Sequence, residues 1–85
     1  MLKLIKRTVG DTLYQIRIQN GLSQEKMAER CFMSYRQYND LENAKRLPTL
    51  QSFIDIVIAF DINVNLIIKS IKERGYIPND DKNSA

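Results

Sequence analysis

Side chains that carry out covalent or metal chemistry are nearly absent from this sequence. Histidine is missing and Cys31 is the only cysteine. A structural zinc site needs four ligands and a disulfide needs two thiols, so neither is expected. Cys31 has no histidine to activate it, and no pair of carboxylates is placed to share a cleft. We therefore expect a protein that is not an enzyme and uses no cofactor and no metal.

The remaining reactive groups are charges. Thirteen lysines and arginines against ten aspartates and glutamates give a formal net charge of +3 and an isoelectric point of about 9.2. This excess favours an acidic partner such as nucleic acid, although only weakly by itself. Two groups of cations stand out, one before the predicted fold and one in a predicted loop: Lys3, Lys6 and Arg7, then Lys45 and Arg46. We assign residues 1–7 as an N-terminal basic arm, with a frayed terminus as the alternative.

The length of 85 residues allows one small domain. Its apolar runs are far shorter than the roughly 20 residues that cross a bilayer, and its first residues lack the features of a secretory signal. We expect a cytoplasmic protein that does not enter a membrane. A domain this small needs a well-patterned helical core or a second subunit to be stable.

Capping residues and apolar spacing predict the first two helices. The segment Thr8 to Asp11 resembles a capping box, which predicts that helix 1 begins at Thr8 and ends near residues 20–21. Ser23 is the predicted N-cap of helix 2, which ends near Cys31. The inward positions of helix 2 are Met27, Ala28 and Cys31.

Three further helices are predicted in the same way. Ser34 caps helix 3, which ends near residues 42–43 and turns Leu41 and either Gln37 or Tyr38 inward. Thr49 caps helix 4, which ends at Asp61. Asn63 caps helix 5, which closes at Gly75, although a strand over residues 64–71 is a weaker alternative because that stretch is β-branched. The apolar faces of helices 4 and 5 are predicted as Leu50, Phe53, Ile56, Val57 and Phe60, then Val64, Ile67, Ile68 and Ile71.

Together these elements predict an all-α fold, a compact five-helix bundle spanning residues 8–75 and followed by a flexible tail over residues 76–85. Only Phe32 and Met33 separate helices 2 and 3, so the two short helices must cross at a large angle, as in a helix-turn-helix. The sequence Leu22 to Arg30, then Ser34, Leu41-Glu42-Asn43 and Pro48-Thr49-Leu50, resembles the Cro/phage-repressor (XRE) family of lambda-repressor-like DNA-binding domains. The resemblance covers roughly residues 9–68.

The resemblance implies that helix 3 enters the major groove of double-stranded DNA. By position in the motif, the residues at the bases are Tyr35, Arg36 and Asp40, with Gln37 and Asn39 at the margin. Arg36 is the strongest candidate, because its planar guanidinium can bond guanine O6 and N7 together. The alternative for Arg36 is a solvated ion pair with Asp40. Asp40 itself would accept from cytosine, hold Arg36 in place or argue against DNA at this face, and we favour the second.

The resemblance also implies phosphate contacts on both sides of helix 3 and one structural ion pair. The phosphate candidates are Gln24, Asn43, Lys45 and Arg46; an ordinary solvated loop is the alternative for the last two. Arg17 in helix 1 and Glu42 at the end of helix 3 stand at the positions where members of the family have a partly buried ion pair. Three residues depart from the family pattern: Phe32 and Ala44 replace glycines, and Tyr38 replaces a buried aliphatic residue.

Apolar residues outside the predicted core suggest a second subunit. Ile54, Ile58 and Leu66 lie off the inward stripes, and we expect a homodimer that contacts itself through them and helix 5. Two recognition helices related by a two-fold axis predict a palindromic operator and repression by occluding a promoter. Activation is an alternative, as is an antitoxin with a toxin or other protein partner. A protein-interaction module that has lost DNA binding is the alternative from another class.

Overall fold

The computed structural model describes residues 1–78 and contains, within them, five α-helices and no β-strand. The helices are α1 (Leu2–Gln19), α2 (Gln24–Arg30), α3 (Tyr35–Glu42), α4 (Leu50–Phe60) and α5 (Val64–Glu73). The predicted all-α fold is confirmed, and residues 64–71 are helical rather than extended. Most of the predicted tail, residues 79–85, lies outside the described residues.

Side-chain caps begin four of the five helices, as the sequence predicts. Ser23, Ser34 and Thr49 each accept a hydrogen bond from the backbone amide three residues on, and Asn63 accepts from the amide of Asn65. These bonds satisfy amide groups that have no partner inside their own helix. The boundaries of α2 to α5 therefore follow from local chemistry.

The predicted start of helix 1 is wrong. Thr8 does not cap a helix; it lies in the second turn of α1, is fully buried, and donates its hydroxyl to the carbonyl of Leu4 at 2.8 Å. A threonine hydroxyl inside a helix can bond the carbonyl four residues back, so the residue types of a capping box do not by themselves mark a start. Most of the predicted basic arm over residues 1–7 is thus the first turns of α1.

The core lies where α1, α2 and α3 meet and is closed by α4. Its fully buried members are Leu13, Met27, Ala28, Cys31, Tyr38, Leu41 and Ile56. Two residues predicted on inward faces are instead exposed, Leu50 at 75% and Ile68 at 45%. Both lie at the edges of their helical stripes, where a neighbouring helix covers too little of the side chain.

Gly10 lets α1 pass very close to the end of α3. A Cβ atom at this position would lie 2.6 Å from the carbonyl oxygen of Glu42 and 3.0 Å from that of Leu41. Real Cβ atoms do not approach backbone oxygens so closely, so only glycine fits at this crossing. Within residues 1–78, none of the helices combines the length and apolar character that spanning a bilayer requires.

Candidate nucleic-acid interface

The turn between α2 and α3 sets the angle at which α3 is presented. Phe32 adopts a φ of +57° in this turn and its side chain is 81% exposed. An aromatic residue therefore accepts the left-handed conformation that glycine usually takes, at an expected cost of about 1–2 kcal/mol. Ala44, at the end of α3, likewise has a φ of +62°.

Arg17 and Glu42 hold α3 from its buried side. Arg17 donates from Nε to Glu42 Oε2 and from Nη2 to Glu42 Oε1, each at 2.9 Å, and its Nη1 donates to the carbonyl of Leu22 at 3.2 Å. The two side chains are only 15% and 7% exposed. This is the ion pair that the family resemblance implied, and it joins α1 to both flanks of the helix-turn-helix.

Tyr38 and Gln24 complete the bonding of the same carboxylate. The buried Tyr38 hydroxyl donates to Glu42 Oε2. This bond satisfies the polar group that a tyrosine brings to a position where the family pattern has an aliphatic residue. Gln24 Nε2 donates to Glu42 Oε1 at 3.2 Å. Burial alone would raise the pKa of Glu42, but the hydrogen bonds from Arg17, Tyr38 and Gln24 outweigh it and hold that pKa below its usual range.

The hydrogen-bond network continues from Gln24 to the exposed side of α3. Gln24 Oε1 accepts from the Tyr35 hydroxyl at 3.1 Å and from Asn39 Nδ2 at 3.3 Å. Asn43 Nδ2 in turn donates to Asn39 Oδ1 at 3.0 Å. Two phosphate candidates, Gln24 and Asn43, are therefore bonded to two of the base candidates, Tyr35 and Asn39.

The remaining candidates of α3 differ in how strongly they are held. Gln37 accepts a hydrogen bond from the amide of Ser34 at 3.0 Å and so completes a capping box. The spacing of Ser34 and Gln37 is that of a capping box, but this role was not predicted for Gln37 from the sequence.

Arg36 is exposed and has no acidic partner among residues 1–78. The predicted pairing of Asp40 with Arg36 is wrong, because Asp40 faces Arg46 at 3.4 Å. The chain turns back after α3, which brings Arg46 to Asp40.

Lys45 and Arg46 follow α3, in the loop that the sequence predicted. Both are exposed, and Lys45 has no acidic partner among the described residues. The backbone amide of Lys45 donates to the carbonyl of Asp40 at 2.9 Å, which fixes the loop against the end of α3. Arg36, Lys45 and Arg46 thus bracket the exposed side of α3 with positive charge.

Comparison with known proteins agrees with this architecture. A family model described as helix-turn-helix, of the Cro/phage-repressor type, matches residues 13–67. A search of curated proteins finds no match to the chain. The matched region contains α2, the turn, α3 and α4 together with the last two turns of α1 and the first turn of α5. The chain belongs to the Cro/phage-repressor (XRE) family of helix-turn-helix DNA-binding domains.

Proposed function

We propose that this protein is a sequence-specific transcriptional regulator that binds double-stranded DNA through α3 in the major groove. The observation that carries the proposal is Arg36, an exposed guanidinium in the first turn of α3 with no acidic partner among residues 1–78. The buried side of α3 is fixed by the Arg17–Glu42 pair. A rigid helix that presents one free guanidinium is suited to bidentate recognition of guanine.

The other base contacts are proposed around Arg36. Tyr35 and Asn39 are held through Gln24, which limits the directions that their polar groups can take. Gln37 uses its Oε1 for the cap, and its Nε2 makes no hydrogen bond within residues 1–78. Asp40 is 18% exposed and neutralised in part by Arg46, which reduces its repulsion of phosphates and leaves cytosine N4 as its possible base partner.

The proposed phosphate contacts lie on both flanks of α3. Lys45 and Arg46 supply charge at one end, while Gln24 and Asn43 supply amide groups. Such contacts fix the register of a protein on the duplex and make binding depend on salt. The proposed DNA binding is consistent with the predicted cytoplasmic location.

Replacing Arg36 by alanine should weaken binding to the preferred site by about 5- to 150-fold, which corresponds to about 1–3 kcal/mol for one bidentate base contact. The site is first selected from a random duplex library, and binding is then measured by fluorescence anisotropy. Arg30→Ala is the matched control, because Arg30 is exposed at the end of α2 and carries the same charge. Binding of Arg36→Ala that equals that of Arg30→Ala would remove Arg36 from the interface.

We also propose that the regulator acts as a homodimer on a palindromic operator and represses by occluding a promoter. Support comes from α4, whose only charged residue is Asp55 and which carries an exposed apolar stripe formed by Leu50, Ile54 and Ile58 at 75%, 46% and 74% exposure. A helix that is apolar nearly all round belongs in contact with another surface. Leu66, on α5, is exposed as well.

Substituting Ile58 by glutamate should convert the dimer to a monomer without destabilising the fold, because Ile58 is already exposed. Sedimentation equilibrium at micromolar concentrations measures the change. Ile18→Glu, on the exposed part of α1, is the control and should leave the dimer intact. If the parent protein sediments as a monomer at high micromolar concentration, the dimer in the absence of DNA is wrong.

The same apolar stripe favours the second candidate function, a protein-interaction module or antitoxin-type partner with weak or no DNA binding. Salt-dependent binding to random duplex separates the two functions. The regulator should bind, and a variant in which Arg36, Lys45 and Arg46 are all alanine should not. An interaction module should show no salt-dependent binding in either form.

A further inference from the structure

Two lysines at the start of α1 share a helical face with Gly10. Lys3, Lys6 and Gly10 are spaced at i, i+3 and i+7, which places them one above another on one side of a helix. These lysines are part of α1 rather than of a loose arm, so their positions follow from where α1 packs. Lys3 is exposed and Lys6 is half-buried.

Gly10 locates this face relative to α3. The close approach of Gly10 to the carbonyl oxygens of Leu41 and Glu42 puts the face against the end of α3. The neighbouring face of α1, with Ile5 and Val9, lines an apolar groove together with Leu47 and Pro48.

The loop after α3 must therefore pass the turn of α1 that carries Lys6. The loop starts where α3 ends, next to Gly10. It finishes at Leu47 and Pro48, which line the same groove as Ile5. Lys45 lies within this stretch of chain. The first two turns of α1 thus extend the surface that Lys45 and Arg46 begin.

Acidic groups do not neutralise this surface. Among residues 1–78, Lys3, Lys6 and Lys45 have no acidic side chain within ion-pair distance. The nearest acid along α1, Asp11, lies on a different side of the helix and pairs with Arg74 at 3.0 Å. Asp40 is occupied by Arg46.

We propose that Lys3 and Lys6 bind phosphates of the DNA backbone next to those bound by Lys45, and so extend the footprint of the protein beyond the base pairs that α3 reads. This inference rests on the proposed function. Lys3 lies seven residues before Gly10, about 10 Å along α1. A surface of this length can contact more than one phosphate, since each strand of a duplex carries one phosphate for every about 3.4 Å of its helix axis.

The test compares the variant Lys3→Gln/Lys6→Gln with the control Lys69→Gln/Lys72→Gln, which removes two charges from α5 instead. Glutamine preserves helix propensity, so α1 should remain folded. Binding to a random-sequence duplex is measured by fluorescence anisotropy between 50 and 200 mM salt. The slope of log K against log salt should become shallower by about 1.8 in the α1 variant, since each lost phosphate contact changes it by about 0.9.

Two further readouts complete the test. Preference for the selected site over random duplex should be unchanged in the α1 variant, because phosphate contacts carry no sequence information. Lys3→Arg/Lys6→Arg should keep the parent slope, which shows that charge and not an altered fold is responsible.

A parent protein that binds duplex with the same slope as Lys3→Gln/Lys6→Gln would overturn this inference and leave the proposed function intact. Equal losses in the α1 variant and the α5 control would also overturn it, because net charge would then explain the effect. A parent protein that binds no duplex would overturn both.

Discussion

Replacing Glu42 by alanine should lower the free energy of unfolding by about 3–5 kcal/mol, a large part of the roughly 5–15 kcal/mol that stabilises a typical domain. The reason is the number of groups that lose their partner. Glu42 accepts two hydrogen bonds from Arg17 and one each from Tyr38 and Gln24. Without it, the partly buried guanidinium of Arg17 and the buried phenol of Tyr38 remain with too few acceptors.

Urea unfolding followed by circular dichroism measures this loss, and two variants keep the test informative if Glu42→Ala does not fold. Tyr38→Phe removes one hydrogen bond and should cost about 1.5–3 kcal/mol. The double variant Arg17→Met/Glu42→Leu removes both charges together and should recover part of the loss, because apolar residues of similar size often replace a buried ion pair without penalty. The Tyr38 hydroxyl still loses its acceptor in this variant, which limits the recovery. A double variant no more stable than Glu42→Ala would show that the unpaired charge of Arg17 is not the main source of the loss.

The same carboxylate should make stability depend on pH in a defined direction. Because the pKa of Glu42 is lower in the folded chain than in the unfolded chain, its contribution is fully present above the unfolded value of about 4.3. The contribution is lost as pH falls through the lower, folded value. Unfolding measured across this acidic range should therefore show a weaker pH dependence in Glu42→Gln than in the parent protein.

Local chemistry explains how much of the fold could be predicted from the sequence. The caps at Ser23, Ser34, Thr49 and Asn63 act within one turn of their own helix, so residue type and spacing are sufficient. The start of α1 could not be found in this way, because Thr8 bonds a carbonyl inside the helix instead of a free amide. Apolar spacing of Leu2, Ile5 and Val9 was the signal available for the earlier start.

The motif predicted which positions of α3 are buried, but not how the side chains of the candidate site pair. The motif indicated which positions of α3 are exposed, since the buried positions Tyr38 and Leu41 follow helical spacing. It did not indicate that Asp40 faces Arg46, because that contact depends on the path of the loop after α3. The link from Gln24 to Tyr35 depends on the crossing angle of two helices and was equally inaccessible.

The crossing of α1 and α3 depends most directly on Gly10, and replacing it should destabilise the protein although glycine is a poor helix former. A Cβ atom there would meet the carbonyl oxygens of Glu42 and Leu41, which cannot move without shifting the end of α3. Alanine gains about 1 kcal/mol of helix propensity, and overpacking costs about 1–3 kcal/mol.

We expect a net loss of up to about 2 kcal/mol for Gly10→Ala and a larger loss for Gly10→Leu, because the two residues have similar helix propensities but leucine needs more space. Urea unfolding measures both, and Gln15→Ala, at an exposed position of α1, is the control and should change stability by less than about 0.5 kcal/mol. A Gly10→Ala variant more stable than the parent would show that the helices separate at little cost.

Separation of α1 from α3 would also move Glu42 away from Arg17, since Gly10 contacts the backbone of Glu42 itself. Gly10→Ala should therefore reduce the effect of a later Glu42→Gln substitution, so the two losses should be less than additive. It should also weaken DNA binding more than the exposed control does, because the end of α3 carries both the ion pair and the loop with Lys45. Fully additive stability losses in the variant Gly10→Ala/Glu42→Gln would show that the spacing of α1 and α3 does not affect the ion pair. The orientation of the proposed interface would then depend on the ion pair alone.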